Sequence, residues 1–225
     1  MKIAIIYVGH VRSWNTCKKN NLEMLFSENH SIDVFIETYK EGFRQDYGLR
    51  NEKNEKNVYT EDDIKNLFEG INVVKISIEN QPPGDAAEGQ RMKIVKSYKM
   101  FSTFIEKEPY DLIVKTRMDL YFDKKIDYVS ILNECNEKNK LILGCNVTDH
   151  TNDTFAIGKP ENMKKYFDRF SITGDNSPMS SMDSLASKEN ILMDQKIKHH
   201  IVRLSVKHNG KKFAKCSFDG EHDIE

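Results

Sequence analysis

The sequence has little of what a disulfide framework, a zinc site or a membrane span requires. Its four cysteines are scattered without a Cys-x-x-Cys pair or a Cys/His array, so we expect reduced, partly buried thiols. No apolar run approaches the length of a membrane-spanning helix, and the N-terminal apolar run is too short for a signal peptide. These absences predict a cytoplasmic protein without a transmembrane segment.

A strong charge of one sign is also lacking. The 34 basic and 35 acidic residues leave a net charge of −1, which argues against a nucleic-acid partner bound by phosphate neutralisation. Hydrophobic residues make up 38% and charged residues 31%, as in soluble globular proteins. A chain of 225 residues can bury one good core, so we predict a single domain over residues 1–225, alone or within a longer multidomain enzyme.

Strand-like and helix-like segments alternate along the chain. This order predicts an α/β fold with a mostly parallel, Rossmann-like central sheet flanked by helices, and a smaller mixed or antiparallel part in the second half. His199 and His200 are expected at a helix end rather than in a metal site. The predicted strands are residues 3–8, 33–37, 74–78, 112–116, 141–144, 155–158 and 202–206, and the predicted helices are residues 16–26, 60–68, 88–106, 160–170 and 191–198.

The most informative stretch is YDLIVKTRMDLYF at residues 110–122. Its apolar run is typical of a buried parallel strand, and open α/β sheets bind ligands at the carboxyl ends of such strands. Arg117 and Asp119 offer a cation for a phosphate and a carboxylate for a divalent metal. A simple ion pair at the strand end is the alternative interpretation.

Two further predicted strand ends carry residues that could make similar contacts. After the first strand come Gly9, His10, Arg12 and Ser13, where glycine permits close backbone approach and Arg12 and Ser13 can donate to phosphate oxygens. This is neither a GxGxxG nor a P-loop motif. After the second strand, Thr38 and Tyr39 offer a hydroxyl for a ribose and a ring for a base, although packing is an equally ordinary role for a tyrosine.

The helix before the key strand has an apolar stripe by helical spacing. Gln90, Lys93 and Ser97 fall on the adjacent strip, at the predicted boundary between core and solvent. From there they could line a cleft over the sheet. The alternative is a solvated flank of the helix.

Taken in order, these pieces resemble small GT-A-fold glycosyltransferases, similar to those encoded by large viruses of algae and by bacterial surface-polysaccharide loci. A viral source would place the protein in the host cytoplasm. The matches span residue 8 to about residue 206. They are Val8-Gly9-His10-Val11-Arg12-Ser13, Gln90-x-x-Lys93-Ile94, Tyr110-Asp111, Arg117-x-Asp119-Leu120, residues 153–158 and residues 189–192.

The resemblance implies a nucleotide-sugar-binding half over about residues 1–122 and an acceptor-side half over about residues 123–225. GT-A enzymes hold a divalent metal with an Asp-x-Asp motif at a strand end. Here Arg117 stands in place of the first Asp, so Asp119 is the implied ligand for Mn²⁺ or Mg²⁺. Arg117 itself could offset the diphosphate charge and make the metal dispensable.

The resemblance also implies hexosyl transfer from a nucleoside-diphosphate sugar, with a UDP-sugar as the expected donor, to a glycan or glycoprotein acceptor in glycan biosynthesis. Asp153 is the candidate base for an inverting reaction and Asp149 the reserve, while Glu189 is a candidate contact for the sugar or diphosphate. Asp153 is equally typical of a turn, and Glu189 of a helix N-terminus. A retaining reaction would need no separate base in this role. The sequence leaves the stereochemistry open.

Two other functions remain open. A sugar-phosphate nucleotidyltransferase would usually have a Gly-rich, basic loop after the first strand, and VGHVRSWN at residues 8–15 is a poor version of it. A non-catalytic nucleotide- or sugar-binding scaffold would keep donor binding without turnover. Glycosyl transfer ranks first because of the helix–strand block at residues 90–122.

Overall fold

The computed structural model describes residues 1–11, 13–41, 58–80, 86–105, 107–145, 154–172, 191–201, 213–215 and 221–223. These residues form ten strands and five helices. The strands are β1 (Lys2–Val8), β2 (Ser31–Tyr39), β3 (Val73–Glu79), β4 (Leu112–Thr116), β5 (Leu120–Phe122), β6 (Lys140–Cys145), β7 (Ala156–Gly158), β8 (Leu192–Ile201), β9 (Phe213–Lys215) and β10 (Glu221–Asp223). The helices are α1 (Trp14–Leu25), α2 (Glu61–Leu67), α3 (Ala86–Ile105), α4 (Tyr128–Glu137) and α5 (Pro160–Ile172).

Eight of these strands make one mixed sheet in the order β3-β2-β1-β4-β7-β6-β8-β5. The four strands from β3 to β4 are parallel, and β6 and β8 are parallel to each other. β7 lies antiparallel between β4 and β6, and β5 pairs antiparallel with β8. The predicted parallel sheet is thus confirmed for its first four strands, and the remainder is mixed. β9 and β10 form a separate antiparallel pair.

The central strands are buried on both faces, which explains their continuous apolar runs. In β1, Ile3, Ile5 and Tyr7 face one core, whereas Ala4, Ile6 and Val8 face the other. Val11, Ile64 and Ile131, from the segments in and around α1, α2 and α4, join the first core. Ile94 of α3 and Tyr166 of α5 join the second. The result is a sheet between two helical layers.

The short strand β5 is held from α1 by two asparagines. Asn20 donates to the carbonyl of Phe122 at 2.9 Å and accepts from its N–H at 2.7 Å. Asn21 donates to the carbonyl of Leu120 at 2.7 Å. These side chains satisfy backbone groups of a strand that has a strand partner, β8, on one side. β5 and α4 were not predicted from the sequence, since neither shows a long periodic apolar pattern.

Most other predicted elements are confirmed. Thr60 and Asp63 form the expected capping box at the start of α2, and Pro160 is the first residue of α5. Cys17 and Cys135 are buried. The predicted strand at residues 202–206 lies outside the described residues. Within the described part of the chain, no helix is long and apolar enough to cross a bilayer.

The prediction of a helix at residues 191–198 is wrong, because this segment is strand β8. The parallel register with β6 shifts between Leu143 and Gly144, which adds one residue to β8. Met193 therefore packs against one core and Ile197 against the other. The extra residue breaks the two-residue period and leaves a four-residue spacing that resembles a helix. His199 and His200 are accordingly strand residues, not a helix end.

Candidate functional site

Six strands of the sheet run in the same direction, so their carboxyl ends meet at one edge. We call this the carboxyl edge. It is formed where β1, β2, β3, β4, β6 and β8 end, at Val8, Tyr39, Glu79, Thr116, Cys145 and Ile201. Open α/β sheets bind their ligands at such an edge. Most of the described residues that the sequence analysis singled out lie here.

Gly9 and His10 form the turn that leaves β1. Gly9 has a φ of 113°, which favours glycine, and its N–H donates to the carbonyl of Glu37 at 3.0 Å. His10 is half-buried, and its ring lies 4.7 Å from that of Tyr39. The Nδ1 of His10 lies 3.0 Å from the carbonyl oxygen of Glu41. Because a carbonyl only accepts, Nδ1 is the protonated nitrogen, and Nε2 is an acceptor whenever the ring is neutral.

Tyr39 is not available to stack on a base as it stands. Its side chain is only 5% exposed, and its hydroxyl donates to the carbonyl of Gly89 in α3 at 2.9 Å. Thr38 beside it is fully buried. Gln90 follows Gly89 and is half-buried. The structure thus brings these predicted residues together, with the Tyr39 ring buried and the half-buried His10 ring beside it.

Lys93 is buried, which corrects its predicted place at the boundary between core and solvent. It is 1% exposed, and Ser97, one turn later, is fully buried. Its Nζ donates to Oε1 of Glu37 at 2.5 Å and to the carbonyl of Thr38 at 2.7 Å, and it lies 4.2 Å from the Tyr39 ring centre. The positive charge of Lys93 is therefore largely offset by Glu37.

The carboxyl groups around Lys93 have shifted pKa values. Burial raises the pKa of Glu37, although hydrogen bonds from Lys93 and Ser77 oppose that effect. For Glu79, burial also acts to raise the pKa, but hydrogen bonds and charges from Lys96 and Lys93 outweigh it and lower the pKa. Glu79 receives the Nζ of Lys96 at 2.6 Å. Lys96, Glu79, Lys93 and Glu37 thus form a chain of alternating charges, two positive and two negative, that runs from the surface into the core.

Arg117 and Asp119 form a bidentate ion pair just past the end of β4. The Nε of Arg117 donates to Oδ1 of Asp119 at 2.8 Å, and an Nη donates to Oδ2 at 2.7 Å. The Asp119 side chain is 1% exposed and that of Arg117 is 11% exposed. This is the strong fork geometry of a guanidinium on a carboxylate. Within the described residues, no three Asp, Glu, His or Cys side chains are grouped as metal ligands.

Thr116, the last residue of β4, is fully buried. Of the side chains that the structure describes, its Oγ1 is the one buried oxygen or nitrogen atom without a hydrogen-bond partner. An unsatisfied buried hydroxyl costs stability, so such groups need an explanation.

A second polar pair joins the end of β8 to the residue two positions before β7. The Nε2 of His199 lies 2.7 Å from Oγ1 of Thr154, and its Nδ1 lies 3.1 Å from the carbonyl oxygen of Ile197. Nδ1 must donate to the carbonyl, so Nε2 accepts the Thr154 hydroxyl proton in the neutral ring. Both side chains are buried. Gly144 leaves room for the ring, because a Cβ there would meet Cε1 of His199 at 2.2 Å.

Four predicted site residues lie outside the described residues. They are Arg12, Asp149, Asp153 and Glu189. Glu37, Thr154 and His199 also lie at this edge, although the sequence did not identify them as candidate site residues. A carboxylate at the end of an apolar strand is a signal that could have found Glu37, since a buried acid needs a cation. No comparable signal marks Thr154 or His199, whose pairing depends on β7 and β8 being neighbours of β6.

Comparison with known proteins connects this arrangement to one fold. No protein-family model matches the chain, and no curated protein matches its sequence significantly. Among solved structures, the chain resembles a protein from Desulfovibrio desulfuricans G20 that bears the provisional name nucleotide-diphospho-sugar transferase. The two share a fold. The TM-score is 0.51 at 10% sequence identity, over 88% of this chain and 80% of the other. At this identity the likeness concerns the fold alone.

Proposed function

We propose that this protein is a glycosyltransferase that moves a sugar, most simply a hexose, from a nucleoside-diphosphate sugar to a glycan or glycoprotein acceptor. The observation that supports it best is the position of Arg117 and Asp119. They lie at the carboxyl edge of a sheet, in a fold that resembles that of a protein with the provisional name nucleotide-diphospho-sugar transferase. UDP is the proposed carrier.

In this proposal the main catalytic task is to stabilise the charge that develops on the departing nucleoside diphosphate. Arg117, which lies just past the end of β4 and is 11% exposed, is the described cation that we assign to that task. His10 keeps its proposed place beside the donor, and the backbone turn at Gly9 permits close approach. Arg12 keeps its proposed role as a phosphate ligand. Lys93 contributes indirectly, by fixing Tyr39 and Thr38, because Glu37 offsets its charge.

A divalent cation, Mn²⁺ or Mg²⁺, is part of the proposal. Its candidate protein ligand among the described residues is Asp119, a buried carboxylate whose two oxygens both accept N–H groups of Arg117. Cations of this kind commonly use one or two protein carboxylates together with phosphate oxygens. Asp119 would hold the ion, which would supply charge to the leaving diphosphate.

The acceptor side of the proposal rests on Asp153, with Asp149 in reserve, as the base that takes the proton from the acceptor hydroxyl. This role applies if the reaction inverts the anomeric centre. Glu189 is the proposed contact for the sugar or diphosphate.

The proposal is tested by calorimetric titration of UDP and of GDP, each with and without Mn²⁺, into the wild type and Asp119→Asn. We expect one of the two nucleotides to bind, the metal to tighten its binding, and Asp119→Asn to remove the gain from the metal. Asp123→Asn, an exposed acid four residues later, is the matched control and should behave as wild type. Failure of both nucleotides to bind would contradict a UDP- or GDP-sugar donor.

Binding alone would also fit a scaffold, so turnover is measured separately. Incubation with UDP-hexoses and chromatographic detection of released UDP should show slow donor hydrolysis. Nucleotide binding without any release, in the presence of candidate acceptors, would favour the non-catalytic alternative.

A further inference from the structure

The ammonium group of Lys93 has acceptors for all of its hydrogen-bond donors within the protein. An ammonium carries three N–H donors, and this side chain is 1% exposed. It donates to Oε1 of Glu37 at 2.5 Å and to the carbonyl of Thr38 at 2.7 Å, and Oε2 of Glu79 lies 3.5 Å away. In this arrangement Lys93 does not hold a ligand itself, so it acts on the carboxyl edge through the residues that it contacts.

Glu37 links this lysine to the turn that leaves β1. Its side chain accepts from Lys93, which lies on α3, and its backbone carbonyl accepts the N–H of Gly9 at 3.0 Å. In the parallel pairing of β1 and β2, Glu37 lies opposite Val8, the last residue of β1. One residue of β2 thus joins α3 to the point where the chain leaves the sheet. Both side chains of the pair are 2% exposed, so water does not take the place of either partner.

A second contact fixes the same stretch of β2 to α3, one helical turn earlier. The hydroxyl of Tyr39 donates to the carbonyl of Gly89, four residues before Lys93. The Nζ of Lys93 lies 4.2 Å from the centre of the Tyr39 ring, and the centre of the His10 ring lies 4.7 Å from it. The helix that binds Glu37 therefore also holds the ring against which His10 packs.

We propose that Lys93 is a positioning residue: from α3 it fixes the end of β2, and through Glu37 it holds the turn at Gly9 and His10 in the conformation that binds the donor. The inference rests on the proposed function for the ligand, a nucleoside diphosphate, and adds the residue that keeps its site in place. Apolar side chains can often replace a buried ion pair without loss of stability. Stability alone therefore does not account for the pair, whereas two short hydrogen bonds from one nitrogen atom fix the geometry of the strand end.

The test compares the wild type with the double variant Glu37→Gln/Lys93→Met by native-state hydrogen exchange. The double variant leaves no buried charge unpaired, so we expect it to regain most of the stability that Lys93→Met loses. Its Gly9 amide should nevertheless exchange at least tenfold faster than in the wild type, relative to the amide of Ile5 in the middle of β1. A purely structural role would change the exchange of both amides by the same factor. An equal Gly9-to-Ile5 ratio in the two proteins would overturn the inference.

Nucleotide titration is the second readout, and it separates this inference from the proposed function. If the wild type binds UDP or GDP, the dissociation constant should be at least tenfold higher in the double variant. Lys96→Met, on the same helix but half-exposed, is the matched control and should bind as wild type does. Unchanged affinity in the double variant would overturn the inference. Faster Gly9 exchange in the double variant, together with no nucleotide binding to the wild type, would contradict only the donor.

A single variant keeps the test decisive if the double variant does not fold. Lys93→Gln places its donor one atom nearer the backbone, so it cannot reach both Glu37 and Thr38 as the ammonium does. Its Gly9 amide should also exchange faster relative to that of Ile5. An unchanged ratio in Lys93→Gln would equally overturn the inference.

Discussion

Lys93 and Glu37 are 56 residues apart in the sequence, yet both are buried and in contact at the carboxyl edge. Removal of one partner of a buried ion pair typically costs about 3–5 kcal/mol, because the other charge stays buried. We therefore expect Lys93→Met to lower the free energy of unfolding by about 3 kcal/mol near pH 8. Lys96→Met is the matched control. Lys96 is on the same helix but half-exposed, so its loss should cost less than about 1 kcal/mol.

The cost of Lys93→Met should depend on pH with a definite sign. Burial raises the pKa of Glu37, and Lys93 opposes that rise, so the variant raises the pKa further. A carboxyl whose pKa is higher in the folded chain stabilises the fold when protonated, and this contribution is lost as the pH rises through the folded pKa. The penalty should therefore shrink as the pH falls from 8 towards 5. Urea unfolding of the wild type and Lys93→Met at pH 8 and pH 5 measures this penalty. An equal penalty at both pH values would contradict a buried ion pair between Lys93 and Glu37.

At the scale of secondary-structure elements, β6 and β8 pack closely because Gly144 in β6 has no side chain where the ring of His199 in β8 lies. A Cβ on Gly144 would lie 2.2 Å from Cε1 and 2.9 Å from Nδ1 of His199. The ring cannot easily retreat, because Thr154 and the Ile197 carbonyl hold its two nitrogens. We expect Gly144→Ala to destabilise the fold by about 1–3 kcal/mol or more through overpacking.

A double-mutant cycle separates this clash from a general cost of alanine at position 144. In a His199→Ala background the space is open, so Gly144→Ala should cost well under 1 kcal/mol, about the level of volume-neutral changes. Denaturant unfolding of the four proteins gives the coupling energy. Additive costs would show that the His199 ring does not occupy this space.

The same region shows why the sequence predicted the first parallel strands but did not predict strand β8. The first strands are buried on both faces and read as apolar runs in any register, as in Ile3 to Val8. In β8 the added residue puts Met193 and Ile197 on opposite faces, and only the neighbours β6 and β5 make that segment extended. Local spacing does not contain that information, because the stabilising hydrogen bonds come from elsewhere in the chain.

At the scale of the whole molecule, the sequence located the carboxyl edge but not its charge balance. Gly9, His10, Tyr39 and Asp119 were singled out because each follows an apolar run, and parallel strands bring such ends together. The ion-pair partners of the charged residues at this edge were not predictable from the sequence. The sequence allowed an ion pair between Arg117 and Asp119 but could not show its fork, and Lys93 finds Glu37 only after α3 packs on the sheet. Partner choice is a property of the folded molecule.

The single-domain prediction for residues 1–225 has its own test in heat unfolding. If the halves at about residues 1–122 and 123–225 form one cooperative unit, the protein should melt in one transition, which UDP shifts as a whole. At about 100 times the dissociation constant, a ligand that binds only the folded state adds about 2.7 kcal/mol, or roughly 5–10 °C for a chain of this size. Uridine, which lacks the diphosphate, is the matched control and should shift the melting temperature much less. Two transitions, with UDP raising the melting temperature of only one of them, would show that the halves unfold independently. Equal shifts in melting temperature with uridine and with UDP would show that the diphosphate is not held at the carboxyl edge.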